Sequence, residues 1–153
     1  MTKFIDFDEI SVHSKADASP GFLLWRTYLV WKRKIEISLL PHEITHMQFV
    51  LLAGLGYLAK DGALVTQQSL AKFTCCDVTM TSQVLRGLEK KGLIQRIQKE
   101  GDERAKYPQV TLSGLAKLKK AMKDVEAVDA QFFGVLGKKT QGFVRNLQMM
   151  LDA

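Results

Sequence analysis

The spacing between two helical patterns in the middle of the chain narrows the possible folds more than any other feature. The first pattern is Thr66–Phe73 and the second runs from Val78 to about Lys91, with only Thr74, Cys75, Cys76 and Asp77 between them. A connection that short swings the second helix sharply away from the first. This is the geometry of a helix-turn-helix, whose second helix enters a DNA major groove. Next come two stretches that read as strands, Leu93–Gln98 and Tyr107–Val110, around polar Lys99–Lys106 with Gly101. Together they predict a β-hairpin with a long, mobile, basic tip, and hence a unit that binds DNA.

The charge supports that expectation. The 153-residue chain carries a net +6, unevenly spread. Residues 86–123 hold eleven Lys/Arg against four Asp/Glu, whereas the rest holds eleven basic against twelve acidic residues. The excess positive charge therefore coincides with the second helix, the hairpin and the helix after it, where phosphates would lie.

The flanks add helices. Residues 1–18 lack periodicity and read as an arm. Ser19-Pro20 starts a helix, with Ser as N-cap and Pro in the first turn. That helix carries Phe22, Leu23, Leu24, Trp25, Tyr28, Leu29, Trp31, Ile35, Ile37 and Leu39 on more than one face, so one face packs on the domain and another meets a partner. Pro41 ends it. Thr45 and Gln48 have capping-box spacing ahead of a helix to about Lys60, with Gly62 as its left-handed stop. Ala63–Val65 has room only for one edge strand, and Thr66 caps the next helix. Thr111 caps a later helix whose apolar positions, Leu115, Leu118, Met122, Val125, Phe132 and Leu136, keep 3–4 spacing; a short helix from Thr140 to Met150 closes the chain. The expected class is mainly α with a small β-hairpin. A winged helix-turn-helix at 42–113 is flanked by dimerisation helices at 19–40 and 114–153, intertwined as one domain. The flanking apolar surface exceeds what a winged helix needs and predicts a homodimer.

On the second helix of the turn, Thr81, Val84, Leu85 and Leu88 share one face, bordered by Met80, and Thr79, Ser82, Gln83 and Arg86 share the opposite one. Residues near the start of such a helix reach base edges. Gln83 suits a bidentate pair with adenine, Thr79 and Ser82 suit bases or phosphates, and Arg86 suits guanine or a phosphate. In the hairpin, Asp102 and Arg104 are flanked by Lys99 and Lys106; an arginine on an extended loop suits the negative potential of a narrow minor groove. Asp102 either orients that guanidinium or pairs with another basic group. Lys90, Lys91 and Arg96 are either phosphate neighbours or solvated charges.

These motifs resemble the MarR family, the multiple-antibiotic-resistance regulators of bacteria. The family's wing pattern, D-x-R, about five residues, then L-T-x-x-G, is matched by Asp102-Glu103-Arg104 and Val110-Thr111-Leu112-Ser113-Gly114. Leu88-Glu89-Lys90-Lys91-Gly92-Leu93-Ile94-Gln95-Arg96 is similar to L-E-K-K-G-L-V-x-R, and Ile44-Thr45 with Gln48 and Leu51 to L-T-x-x-Q-x-x-L. The likeness covers roughly residues 42–120. Val110 and Ile44 replace Leu, and Cys75 falls where many members have Gly. The resemblance implies an obligate homodimer on a near-palindromic operator of double-stranded DNA. It implies Arg104 in the minor groove and, in many members, release by a small aromatic or anionic effector. Trp25, Tyr28, Trp31 and Phe49 either line such an effector pocket or form plain core and dimer packing.

Other classes find little support. No apolar run reaches the ~18 residues of a membrane span, and the N-terminus is not a signal peptide, so a cytoplasmic protein is expected. Cys75 and Cys76 are poorly placed to pair with each other or to build a zinc site with His13, His42 and His46. At least Cys76 reads as a small buried hydrophobe, with a thiol sensor as the alternative. Neither a glycine phosphate loop, a nucleophile motif nor a metal-ligand cluster is present, so no enzyme, metal or cofactor is expected. The rival expectation is a winged helix used for protein–protein assembly.

Overall fold

The computed structural model describes residues 5–99 and 101–153, without the side chains of Lys99 and Asp102–Ala105. Met1–Lys34 and Ile35–Ala153 form two compact units, divided within the first helix.

In the first unit, single 3-10 turns at Phe7–Glu9 and Ala16–Ala18 precede α1, Pro20–Leu39. Ser19 caps this helix as its sequence predicts, its hydroxyl accepting from the Phe22 N–H at 3.4 Å. Up to Lys34 no side chain of α1 is buried. Phe22, Leu23, Leu24 and Trp25 stand 44, 40, 57 and 58 % exposed. The Arg26 guanidinium lies 5.7 Å over the Phe22 ring and 3.5 Å from Asp17, an exposed pair of the kind that contributes about 0–1 kcal/mol.

The second unit begins with Ile35 and Leu39, both buried. A 3-10 turn at Leu40–His42 ends in Glu43 at φ 55°, and α2, α3, α4, a hairpin, α5 and α6 follow. α2 (His46–Leu58) opens on the expected capping box, with Thr45 and Gln48 satisfying each other's backbone N–H at 3.1 Å. α3 (Gln67–Phe73) opens on a second box between Thr66 and Ser69. Leu51, Leu52, Leu55, Leu70, Leu85 and Leu88 are wholly buried together. At ~1.5–3 kcal/mol for each fully buried leucine, this cluster contributes substantially to the unit's stability. α4 (Val78–Lys90) leads through Gly92 to β1 (Ile94–Lys99), which pairs antiparallel with β2 (Asp102–Val110).

α5 (Leu112–Phe133) is capped by Thr111, whose hydroxyl accepts from Gly114 N–H at 3.0 Å and donates to Gly92 O at 2.7 Å. Here α5 crosses the root of the hairpin so closely that a Cβ on Gly114 would sit 1.9 Å from the Leu93 carbonyl oxygen. Only glycine fits at that crossing.

Four expectations need correction. Ala63–Val65 pairs with nothing: among the described residues the sheet has two strands, and Val65 is buried without joining it. The hairpin tip is short, because β2 starts at Asp102 and pairing continues to Lys99↔Asp102 across a register shift after Gln98. α2 ends at Leu58, before Lys60, and the chain turns through Gly62 at φ 78°. Lastly, Leu136 lies outside α5, in a 3-10 segment Gly134–Lys139 that Gly137 kinks at φ 51° before α6 (Thr140–Leu151).

Candidate nucleic-acid interface

The turn between α3 and α4 is built by local hydrogen bonds. Thr74 closes α3, its hydroxyl donating to Leu70 O at 2.9 Å. The Cys76 N–H then returns to Ala71 O at 2.9 Å. Cys75 makes the reversal in the left-handed region, at φ 53°, which costs a residue with a side chain about 1 kcal/mol relative to glycine. A left-handed conformation of this kind is one that glycine adopts without that cost. Cys75 is exposed and Cys76 half-buried, so the expectation of a buried Cys76 holds only in part; its thiol lies 3.4 Å from Thr74 O.

Asp77 then caps α4, its carboxylate accepting from Met80 N–H at 3.0 Å. One face of α4 is fixed by burial. Thr81, Leu85 and Leu88 are fully buried, and the Thr81 hydroxyl is satisfied by Asp77 O at 2.8 Å. Opposite this face, Thr79, Gln83 and Arg86 are exposed, Ser82 is half-buried at the margin, and Lys90 continues the exposed row. The structure thus presents Thr79, Gln83 and Arg86 together on one open surface. Lys106 is exposed on β2, opposite Gln98. Asp102 and Arg104 begin β2, but their side chains lie outside the described residues.

Two of the three undecided basic residues serve the fold. Lys91 donates to Glu43 O at 2.5 Å and to Gln48 Oε1 at 2.9 Å. Arg96 pairs with Glu89 at 3.3 Å, tying β1 to α4. Two further ties join the 3-10 turn to α5: His42 meets Asp124 at 2.6 Å, and Lys117 donates to His42 O at 2.7 Å. Sequence reading missed these ties, and no local signal marks them.

Of the aromatic residues considered for an effector pocket, Trp25 and Tyr28 are exposed and Trp31 half-buried, with the Tyr28 and Trp31 rings 6.3 Å apart. Phe49 is 7 % exposed within the core around α2. A roomier cavity of about 700 Å3 opens elsewhere in the second unit, between the end of α2 (Gly56, Ala59), the hairpin root (Gln95, Gln109) and the start of α5 (Leu115, Leu118). No helix among the described residues is long and apolar enough to cross a membrane.

The MarR family model matches residues 44–106, from the cap of α2 into the hairpin. Over 142 residues the chain is 40% identical to an uncharacterized HTH-type transcriptional regulator, YdcH of Bacillus subtilis, covering 91% of this chain and 96% of that one. Rv2887 of Mycobacterium tuberculosis, an HTH-type transcriptional repressor, is 29% identical over 89% of this chain and 93% of its own. Crystal structures of Rv2887 with DNA and with salicylic acid each superpose with TM-score 0.68 at 27% identity. They cover 88% of this chain and 98% and 97% of theirs. CouR from Rhodococcus jostii RHA1, solved with p-coumaroyl-CoA, shares the fold with TM-score 0.79 at 19% identity, over 91% of this chain and 95% of its own. With an open polar helix face beside a two-stranded wing, and with relatives such as these, the chain belongs to the MarR family of DNA-binding transcriptional regulators.

Proposed function

We propose that the protein is a cytoplasmic, ligand-responsive repressor that binds a near-palindromic operator as a homodimer. In this reading α4 lies in the major groove and the hairpin reaches the adjacent minor groove. The observation that carries it is the two-sidedness of α4: Thr81, Leu85 and Leu88 are buried, whereas Thr79, Gln83 and Arg86 are exposed. Gln83 reads a base, Arg86 a base or phosphate, and Thr79 and Ser82 position the helix. Arg104, Asp102 and Lys106 enter through the resemblance of the D-x-R wing. Rv2887, named a repressor and solved with both DNA and salicylic acid, supports the repressor and ligand parts.

The dimer rests on α1. So much unburied Phe, Leu and Trp surface on one helix exceeds what a lone soluble chain usually exposes. Two copies joined through α1, α5 and α6 cover it, with Trp25, Tyr28 and Trp31 as packing residues. The cavity between α2, the hairpin root and α5 is the candidate effector site. A ligand there acts by favouring a dimer whose two α4 helices are wrongly spaced for one face of the duplex.

Selection of bound duplexes from a random pool, at low and moderate salt, tests the reading. The expected product is an inverted repeat with half-sites about one helical turn apart. Recovery of no motif, with binding lost at moderate salt, is the signature of general polyanion affinity and overturns it.

A further inference from the structure

We infer that the first turn of α4 recognises thymine 5-methyl groups through Val78 and Met80, so that the core of each half-site is defined by thymines. The inference rests on the major-groove placement of α4 proposed above. Read from sequence alone, Met80 borders the buried face and Val78 has no role. In the structure, Val78 is 47 % and Met80 36 % exposed, at the end of α4 that would lie deepest in the groove. Exposed Thr79 stands between them and adds a further methyl group.

The chemistry of this turn disfavours guanine. Between Asp77 and Arg86 the helix carries no Lys or Arg. The Asp77 carboxylate is engaged with Met80 N–H. Guanine offers two acceptors to the major groove, matched best by the bidentate donors of Arg or Lys. Apolar side chains laid against those acceptors strip them of water and return no hydrogen bond. The thymine methyl is the apolar group that the major-groove edges present, and burying it against Val78 or Met80 needs no polar partner. Gln83, one turn on, then suits the adenines of the same tract.

The test uses the full chain and the operator recovered by selection, with each thymine replaced in turn by deoxyuridine, which removes only the methyl. At one or two positions per half-site, affinity is expected to fall about fourfold for each methyl lost. In a Val78→Ala, Met80→Ala variant the parent operator binds more weakly and the uridine penalty shrinks or vanishes. Thermal melting checks that these exposed substitutions leave the fold intact. Equal affinity for every uridine duplex overturns the inference and leaves the operator, and so the repressor reading, standing. An undiminished penalty in the variant overturns the assignment to Val78 and Met80. A selection that yields no operator overturns both readings together.

Discussion

α2 and the first turns of α1 are both rich in large apolar residues and have opposite surroundings. In α2, Leu51, Leu52 and Leu55 are completely buried, Phe49 nearly so, and the capping box fixes where the helix begins. In α1, Phe22, Leu23, Leu24 and Trp25 are each at least 40 % exposed. Apolar content alone therefore does not say what will cover a helix. α2 finds its cover in the same chain, on α4 and α5, whereas the apolar residues at the start of α1 stay exposed, the surface that the proposed homodimer would cover.

Three experiments bear on this contrast. Leu52→Ala removes a wholly buried side chain from the α2 core and is expected to cost about 2–5 kcal/mol, seen as a lowered denaturant midpoint. A loss below that range would mean that α2 is not the anchor of its unit. Charging the bare helix with Leu24→Glu and Trp25→Glu is expected to leave helix content nearly unchanged and to shift sedimentation from dimer to monomer. A variant that still sediments as a dimer would place the subunit contact elsewhere. The smallest effect is expected at Asp77, which serves α4 locally: Asp77→Ala should cost ~1 kcal/mol in thermal unfolding, and Asp77→Asn should restore most of it.

Features set by short-range chemistry were legible in the sequence. Ser19, Thr45, Thr66 and Thr111 are each followed by the residue whose backbone they cap, and all four helix starts lie where those residues place them. The faces of α4 followed from its 3.6-residue period because its own Thr81, Leu85 and Leu88 recur at that spacing and are the residues buried. Strand lengths were less legible. Residues 99–106 lack alternation and read as a tip, yet the start of β2 continues the ladder by backbone bonding. Leu64–Val65 are apolar enough for a strand but have no partner strand among the described residues. Long-range ties were invisible: Lys91 with Glu43, Lys117 with His42, and His42 with Asp124 join residues 48, 75 and 82 positions apart. In sequence those lysines are simply part of a basic excess. Nor could the sequence divide α1's aromatics between ligand and subunit packing, since either use gives the same helical spacing.

The Lys91 tie also limits what evolution can place there. Its ammonium gathers a peptide carbonyl and the Gln48 side-chain oxygen, and that oxygen also accepts from Thr45 N–H. A small tetrahedral donor can point at both acceptors from one spot, whereas a flat guanidinium fork must spread along a plane. Arginine would preserve the charge at position 91 and lose the geometry. Lys91 thus ties the C-terminal end of α4 to the start of α2, and under the proposed docking a same-charge exchange there would loosen that tie without touching Thr79, Gln83 or Arg86.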